Sequence, residues 1–322
     1  MAFSSQEKMR LMTKVSIMYY IDGLNQQEIA DKLGVSRPQI SRMLTNARAE
    51  GIVDITVKDA FAQERMYEQW LCKEFGLLNV VVVDVPEEDI LSTPRVIARS
   101  ACEMMEASLR NDDIVGVGAG NTVGLISEEF HSLPRKSVSF VPLMGGIGSN
   151  GTKWQANVNA RRFAENCGAY SWQFNAPMVV GEETYQALSR EPEIADVWNR
   201  AKNCTLALIG IGQFSQEATI LKTGFLREED IEELREKKAI ASVCSSFLDV
   251  QGQEIEFRAG KRMFGLTVSD LKRVPRVIAV AWGAQKLRAI EAALRGGWVH
   301  TFITTFATAK TLHNDLGNPP LE

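Results

Sequence analysis

The sequence predicts an α/β protein, with a winged helix-turn-helix domain at the N-terminus and a Rossmann-like domain of mostly parallel strands behind it. Three observations carry this. Residues 25–51, NQQEIADKLGVSRPQISRMLTNARAEG, read as two short helices around a glycine turn. From Asn79 onward, short apolar runs alternate with amphipathic helical stretches, as in a parallel sheet covered on both faces. Glycine-rich turns follow three of those runs.

A first helix runs to about Asp22, with Ser4 or Ser5 able to cap it and Leu11, Val15, Met18 and Tyr19 on its inner face. In the helix-turn-helix, Ile29, Ala30 and Leu33 lie on one helix and Gly34 stops it, because glycine accepts the left-handed conformation of a helix end. Val35 is a buried plug. Ser36 caps the next helix, and Pro38 is tolerated in its first turn. Ile40, Met43, Leu44 and Ala47 recur at helical spacing, while the other face carries Arg37, Gln39, Ser41, Arg42, Asn46 and Arg48, with no acid before Glu50. This is the pattern of a recognition helix for the DNA major groove. Gln26, Ser36, Arg37, Gln39, Ser41 and Arg42 are the candidate DNA contacts. Arg37, Gln39 and Arg42 suit base edges, and Ser36 and Ser41 suit phosphates. After Gly51, IVDITVKD alternates as a short strand, the expected wing. The DNA-binding domain then spans 1–58 and the second domain 59–322. Helix 60–75 joins them, and its apolar residues fit packing on its own domain or on a second subunit.

Strands are expected at 80–85, 113–118, 137–144, 205–212, 239–249, 276–282 and 299–304. Helices are expected at 92–110, 121–131, 153–166 and 284–294. Ligands of such sheets bind beyond the carboxyl ends of the strands, where the glycine turns fall: GVGAGNTV (116–123), PLMGGIGSNG (142–151) and GIGQFS (210–215). Gly118 and Gly120 allow tight bending and close approach to a ligand. Asn121 and Thr122 open a helix whose free amides attract anions. Arg161, Arg162, Lys222 and Lys286 are available cations; Lys286 is the strongest candidate, since it follows a strand-end glycine. Gly146, Gly148 and Gly151 match GxGxxG literally, but on a middle strand rather than the first of a dinucleotide unit, so no NAD is expected.

Composition narrows the function class. The chain is 45% hydrophobic and 24% charged, with a net charge of −4, ordinary for a soluble globular protein. Residues 1–58 hold 8 Lys/Arg against 6 Asp/Glu, and the remainder 28 against 34. A local DNA contact with an acidic body fits this asymmetry. Five dispersed cysteines without a CxxC pair argue against a disulfide framework or structural zinc, and the three scattered histidines suggest no metal ligand. With no membrane-length apolar run and no signal-peptide core, a cytoplasmic protein without cofactor is expected. Asp249 follows a strand but has no acid–base partner at a useful spacing, and no nucleophile elbow is present.

The chain resembles the SorC/DeoR family of bacterial sugar-responsive transcriptional regulators over nearly its whole length. The resemblance rests on YYIDGLNQQEIADKLGVSRPQISRML, GVGAGNTV, VPLMGGIG, NAPMVV, LIGIG, LKTGFL, FLDVQG and RVIAVAWGAQKLRAIEAALRGGWVHTFITTFATA, in this order. It implies an effector domain folded like sugar-phosphate isomerases and CoA-transferases but without catalysis. It further implies a sugar phosphate as effector, and homo-oligomers, dimers or tetramers, on operator DNA. The alternative is an isomerase- or deaminase-like enzyme fused to a DNA-binding domain. By resemblance, Gly118, Gly120, Asn121 and Thr122 form one part of the effector pocket, Gly145, Gly146 and Ile147 the phosphate loop, and Asp249 and Lys286 further contacts. The chain departs from the family pattern at Ser242 and Thr305, where acids are usual, and at Trp282, where a small residue is usual; Phe306 adds further bulk. Carboxylates accept sugar hydroxyls strongly, so an effector that is less hydroxylated, more apolar or more negatively charged is expected.

Overall fold

In the computed structural model the described residues are 5–55, 61–85, 91–132, 135–146, 155–215 and 224–319. The chain divides into two compact units, Met1–Ala60 and Phe61–Glu322.

The first unit contains α1 (Ser5–Tyr20), α2 (Gln26–Leu33) and α3 (Arg37–Ala49). Its ends are built by local chemistry. Asn25 Oδ1 accepts the amides of Gln27 and Glu28, and the Glu28 carboxylate accepts the amide of Asn25, a reciprocal capping box. Gly34 ends α2 at φ 65°. Val15, Ile29, Ala30, Ile40 and Leu44 form the core, with Val35 packed against it at intermediate burial. The expected wing does not appear in 52–55, which is irregular. The amides of Ile52 and Val53 both turn back to the Ala47 carbonyl, so they close α3 instead of entering a ladder. Residues 56–58 lie outside the described residues.

The second unit opens with α4 (Ala62–Phe75), then β1 (Asn79–Val83), α5 (Thr93–Ser108), β2 (Ile114–Val117), α6 (Asn121–Glu129), β3 (Ser139–Pro142), α7 (Ala156–Cys167) and β4 (Tyr170–Ser171). There follow α8 (Glu182–Leu188), α9 (Pro192–Lys202), β5 (Leu206–Gly210), β6 (Gly212–Gln213), α10 (Glu228–Glu236), β7 (Ala241–Val243), β8 (Ser246–Leu248) and α11 (Val268–Leu271). The unit closes with β9 (Val277–Val280), a 3-10 turn (Ala284–Lys286), α12 (Leu287–Arg295), β10 (Thr301–Thr305) and α13 (Phe306–Asp315).

Seven strands pair in parallel in the order β1-β10-β9-β5-β2-β3-β4. Because strand side chains alternate between faces, two apolar layers result. Val115, Val117, Leu206, Leu208, Ile278 and Val280 meet Ile97 of α5, Val123 of α6 and Phe163 of α7. Ala207, Ile209, Val277, Ala279 and Phe302 meet Leu71 of α4, Ile290 of α12 and Leu312 of α13. Each large side chain buried here contributes about 1.5–3 kcal/mol relative to exposure.

The run 239–249, expected as one strand, is the hairpin β7–β8. Cys244 turns it at φ 49°, and the Ser245 amide and hydroxyl both donate to the Leu266 carbonyl. Both strands are largely buried, so no polar turn marks the break. With β6 they form a separate antiparallel sheet. Helix 284–294 starts as the 3-10 turn. β4, α8, α9, α10, α11 and α13 lie outside the elements that the sequence predicts. Helix 60–75 buries Tyr67 and Leu71 in its own unit.

Candidate functional site

The chain runs from β2 to β3 and β4 on one side of β2, then to β5, β9 and β10 on the other. The order therefore reverses between β2 and β5, where open parallel sheets leave a crevice beyond the carboxyl ends. Gly118 enters it from β2. Its amide donates to the Leu208 carbonyl at 2.9 Å, and a Cβ there would lie 3.2 Å from the same oxygen. Gly120 follows at φ 111° and precedes the first turn of α6, where Asn121 and Thr122 stand. Across the crevice, a Cβ on Gly210 would meet Thr122 Cβ and Val123 Cγ2 at 4.0 Å and the Val280 carbonyl at 3.9 Å. The ends of β2, β5 and β9 thus adjoin.

Beyond β9, Gly283 takes φ 106°, a region that favours glycine. Its amide donates to Thr308 Oγ1 at 2.9 Å, and its carbonyl accepts the Lys286 amide at 3.0 Å. Lys286 is half-buried, and burial lowers its pKa below the ordinary lysine value. It makes no ion pair among the described residues. A cation held in such surroundings without a carboxylate is suited to an anion.

The other predicted residues divide. Gly145 and Gly146 do not offer their amides: these donate to the carbonyls of Phe264 (2.8 Å) and Ala176 (3.1 Å). A Cβ on Gly145 would lie 2.5 Å from the Ala176 oxygen, so its role is close packing. Ile147 and Lys222 lie outside the described residues. Asp249 is not brought to Lys286. Its Oδ1 accepts the amides of Gln251 and Gln253, both at 2.9 Å. That turn abuts the far end of α12, where a Gly252 Cβ would clash with the Ala292 carbonyl. Arg161 pairs with Glu165, and Arg162 with Glu128. Ser242 lies against Gly212. Thr305 caps α13 by accepting the Thr308 amide at 3.2 Å. Trp282 packs against the α5–α7 layer. Phe306 turns to Tyr67 of α4, with ring centroids 5.1 Å apart, and so adds no bulk to the crevice.

The sequence reading missed Asn159. It is fully buried on α7, and its Nδ2 donates to the Gly118 carbonyl at 3.1 Å; its Oδ1 has no partner among the described residues. The available signal was a polar residue at helical spacing with Ala156, Ala160 and Phe163. Among the described residues no cluster of His, Cys, Asp and Glu could hold a metal, and no helix is long and apolar enough to cross a membrane.

In the first unit Arg37, Ser41 and Arg42 are exposed on α3, and Gln26 is half-buried at the start of α2. Gln39 is engaged locally: its Oε1 accepts the Ser36 amide at 2.9 Å and the Ser36 hydroxyl at 3.0 Å. A bidentate pair with adenine needs both that oxygen and the amide nitrogen, so Gln39 reads adenine only by leaving its cap. Arg42 Nε reaches the Pro38 carbonyl at 3.4 Å. Arg37 makes no hydrogen bond or ion pair among the described residues.

Residues 59–314 match the family described as "Putative sugar-binding domain". The chain is 30% identical over 312 residues to the deoxyribonucleoside regulator of Bacillus subtilis, covering 97% of this chain and 99% of that one. It is similar in structure to a DeoR family transcriptional regulator from Listeria monocytogenes, with a TM-score of 0.71, 26% identity, and 77% and 99% of the two chains covered. It also resembles the full-length sorbitol operon regulator SorC from Klebsiella pneumoniae, with a TM-score of 0.72, 23% identity, and 95% and 98% covered.

Proposed function

The chain belongs to the SorC/DeoR family of effector-controlled, DNA-binding transcriptional regulators, and from this premise we propose that its effector is a phosphorylated sugar or a related metabolite held at the carboxyl edge of the parallel sheet. The observation that carries this reading is Lys286, half-buried beside the crevice without an ion pair among the described residues. Gly118, Gly120, Asn121 and Thr122 form the facing wall, and the free amides at the start of α6 add donors for an anion. A neutral Ser242 and Thr305, together with the name of the Bacillus subtilis relative, favour a sugar with fewer hydroxyls, such as a deoxy sugar phosphate.

The protein acts by binding and not by catalysis, in the cytoplasm, as a dimer or tetramer on operator DNA. Its DNA-binding domain comprises 1–58, and its effector-binding and oligomerisation domain 59–322. The effector shifts the DNA-competent population by binding one state more tightly than the other.

The test is thermal stability against sugars, polyols and acids, each with and without phosphate, including 2-deoxyribose 5-phosphate. A ligand at ~100 times its Kd adds about 2.7 kcal/mol to the native state. Stabilisation by phosphorylated compounds is expected. A response only to unphosphorylated ones would remove the phosphate from the reading, and turnover of any of them would replace it with an enzyme.

On the DNA side, Arg37 is the base-reading arginine, with Arg42 beside it and Ser41 on phosphate; Ser36 and Gln39 hold the helix start. Arg37→Ala is expected to weaken operator binding by ~1–3 kcal/mol and to relax discrimination against random DNA. Binding assays on both DNAs at fixed salt measure this, and unchanged discrimination would reassign Arg37 to the backbone.

A further inference from the structure

Thr308 lies in α13, in a different element from any residue assigned to the crevice, yet its hydroxyl is part of the crevice's construction. The side chain is buried, with only 3% exposed. Its Oγ1 accepts the Gly283 amide at 2.9 Å and lies 2.7 Å from Thr305 Oγ1. The Gly283 carbonyl in turn accepts the Lys286 amide. One hydroxyl therefore fixes the entry to the turn that presents Lys286. Glycine at φ 106° has wide conformational freedom, so without a fixed partner the turn would not hold one geometry.

The same pair of threonines governs the start of α13. Thr305 Oγ1 accepts the Thr308 amide and caps the helix. Along its side, α13 packs on α4: Phe306 stands edge-on to Tyr67 at 5.1 Å. His313 stands edge-on to Trp70 at 4.7 Å and to Tyr67 at 5.6 Å. Helix α4 begins two residues after the first unit ends. A ten-residue helix is about 15 Å of rigid rod, and packed aromatic faces shift between discrete arrangements instead of deforming smoothly.

We propose that Thr308 is a positioning residue of the effector site, holding the 283–286 turn on α13 so that a change in that turn reaches α4. The proposal rests on the assignment of the effector to this edge for its meaning, but its test needs no ligand. If the threonine pair only capped α13, removing the Thr308 hydroxyl would leave both the turn and α4 as they are.

The experiment is amide hydrogen exchange on the full chain for the wild type, Thr308→Val and Thr308→Ser. Valine keeps the shape and loses the hydroxyl; serine keeps the hydroxyl. In Thr308→Val, exchange over 283–288 should quicken about tenfold, as expected for one lost buried hydrogen bond. Exchange in α4 should quicken with it, while α5 and α3 stay unchanged. Thr308→Ser should behave as the wild type. Lys286, followed as a 13C-methylated amine, should titrate closer to the ordinary lysine value in the valine variant, because the freed turn rehydrates it. An unchanged turn would overturn the positioning role, and a loosened turn above an unchanged α4 would overturn the link to that helix. A serine variant as loose as valine would show that the hydroxyl is not the agent. A negative result in the phosphorylated-sugar panel would overturn the effector assignment and leave these exchange results standing.

Discussion

Lys286→Met is expected to lower the affinity for 2-deoxyribose 5-phosphate, or for whichever phosphorylated sugar stabilises the wild type, by about 2–5 kcal/mol, thirtyfold or more. The ammonium is half-buried and unpaired among the described residues, so a bound phosphate gains a partner that water has already partly left. Methionine keeps the apolar stem and removes only the charge. The free protein should therefore be no less stable for the change.

The sign of the pH effect follows from the burial. The folded pKa of Lys286 lies below the ordinary lysine value, so the fold disfavours its charged form. That cost is present in full below the folded pKa. It fades as pH rises from there to the unfolded value near 10.4. The wild type should gain stability over Lys286→Met across that window. Its affinity for the phosphate should fall as pH rises through the folded pKa, because a neutral amine no longer pairs with the anion. Calorimetric titrations of both proteins between pH 7 and 10 measure this. Equal affinities in the two proteins would place the anion on other donors.

Asp113→Ala should cost about 3 kcal/mol of folding stability, the lower end of the range for breaking a buried ion pair, because Arg276 keeps some solvent contact. Asp113 sits just before β2. It accepts the Arg110 amide at 2.6 Å and the Thr205 hydroxyl at 2.7 Å, and it pairs with the Arg276 guanidinium. Arg276 also donates to the carbonyls of Thr205 and Ser108. The pair thereby ties the starts of β2, β5 and β9 to the end of α5. Burial pushes the Asp113 carboxyl up, but hydrogen bonds from Arg276, Thr205 and the Arg110 amide outweigh it, and its pKa ends below the usual range.

A carboxyl lowered by folding contributes stability that is present above its unfolded pKa and lost as pH falls through the folded value. The wild type should lose this contribution below about pH 4, and Asp113→Ala should show no such loss. Urea unfolding at pH 7 and pH 3 separates the two. Arg276→Met in the Asp113→Ala background should restore part of the loss, since it removes the charge left without its partner.

What the sequence by itself determined is what depends on near neighbours. The stop at Gly34, the place of Ser36 at the start of α3 and the apolar spacing of α3 involve residues within one or two turns, and each appears in the structure. The strand-end glycines were legible too, because Gly120 and Gly283 adopt backbone angles that other residues avoid. Lys286 followed from its place after such a turn.

Tertiary structure alone decided which polar groups meet. Asn159 reaches Gly118 across 41 residues, and Gly283 reaches Thr308 across 25. Gly145 and Gly146 looked like free donors until Phe264 and Ala176 supplied their acceptors. Asp249 lay in a family motif, yet its own turn claims the carboxylate. The run 239–249 hid a hairpin because both strands are largely buried and the turn at Cys244 and Ser245 carries no glycine, proline or asparagine to mark it. The physical reason is common to all of these. Periodicity and capping are set within a few residues of chain, whereas a hydrogen-bond partner far along it is chosen by strand order, which short-range chemistry does not encode.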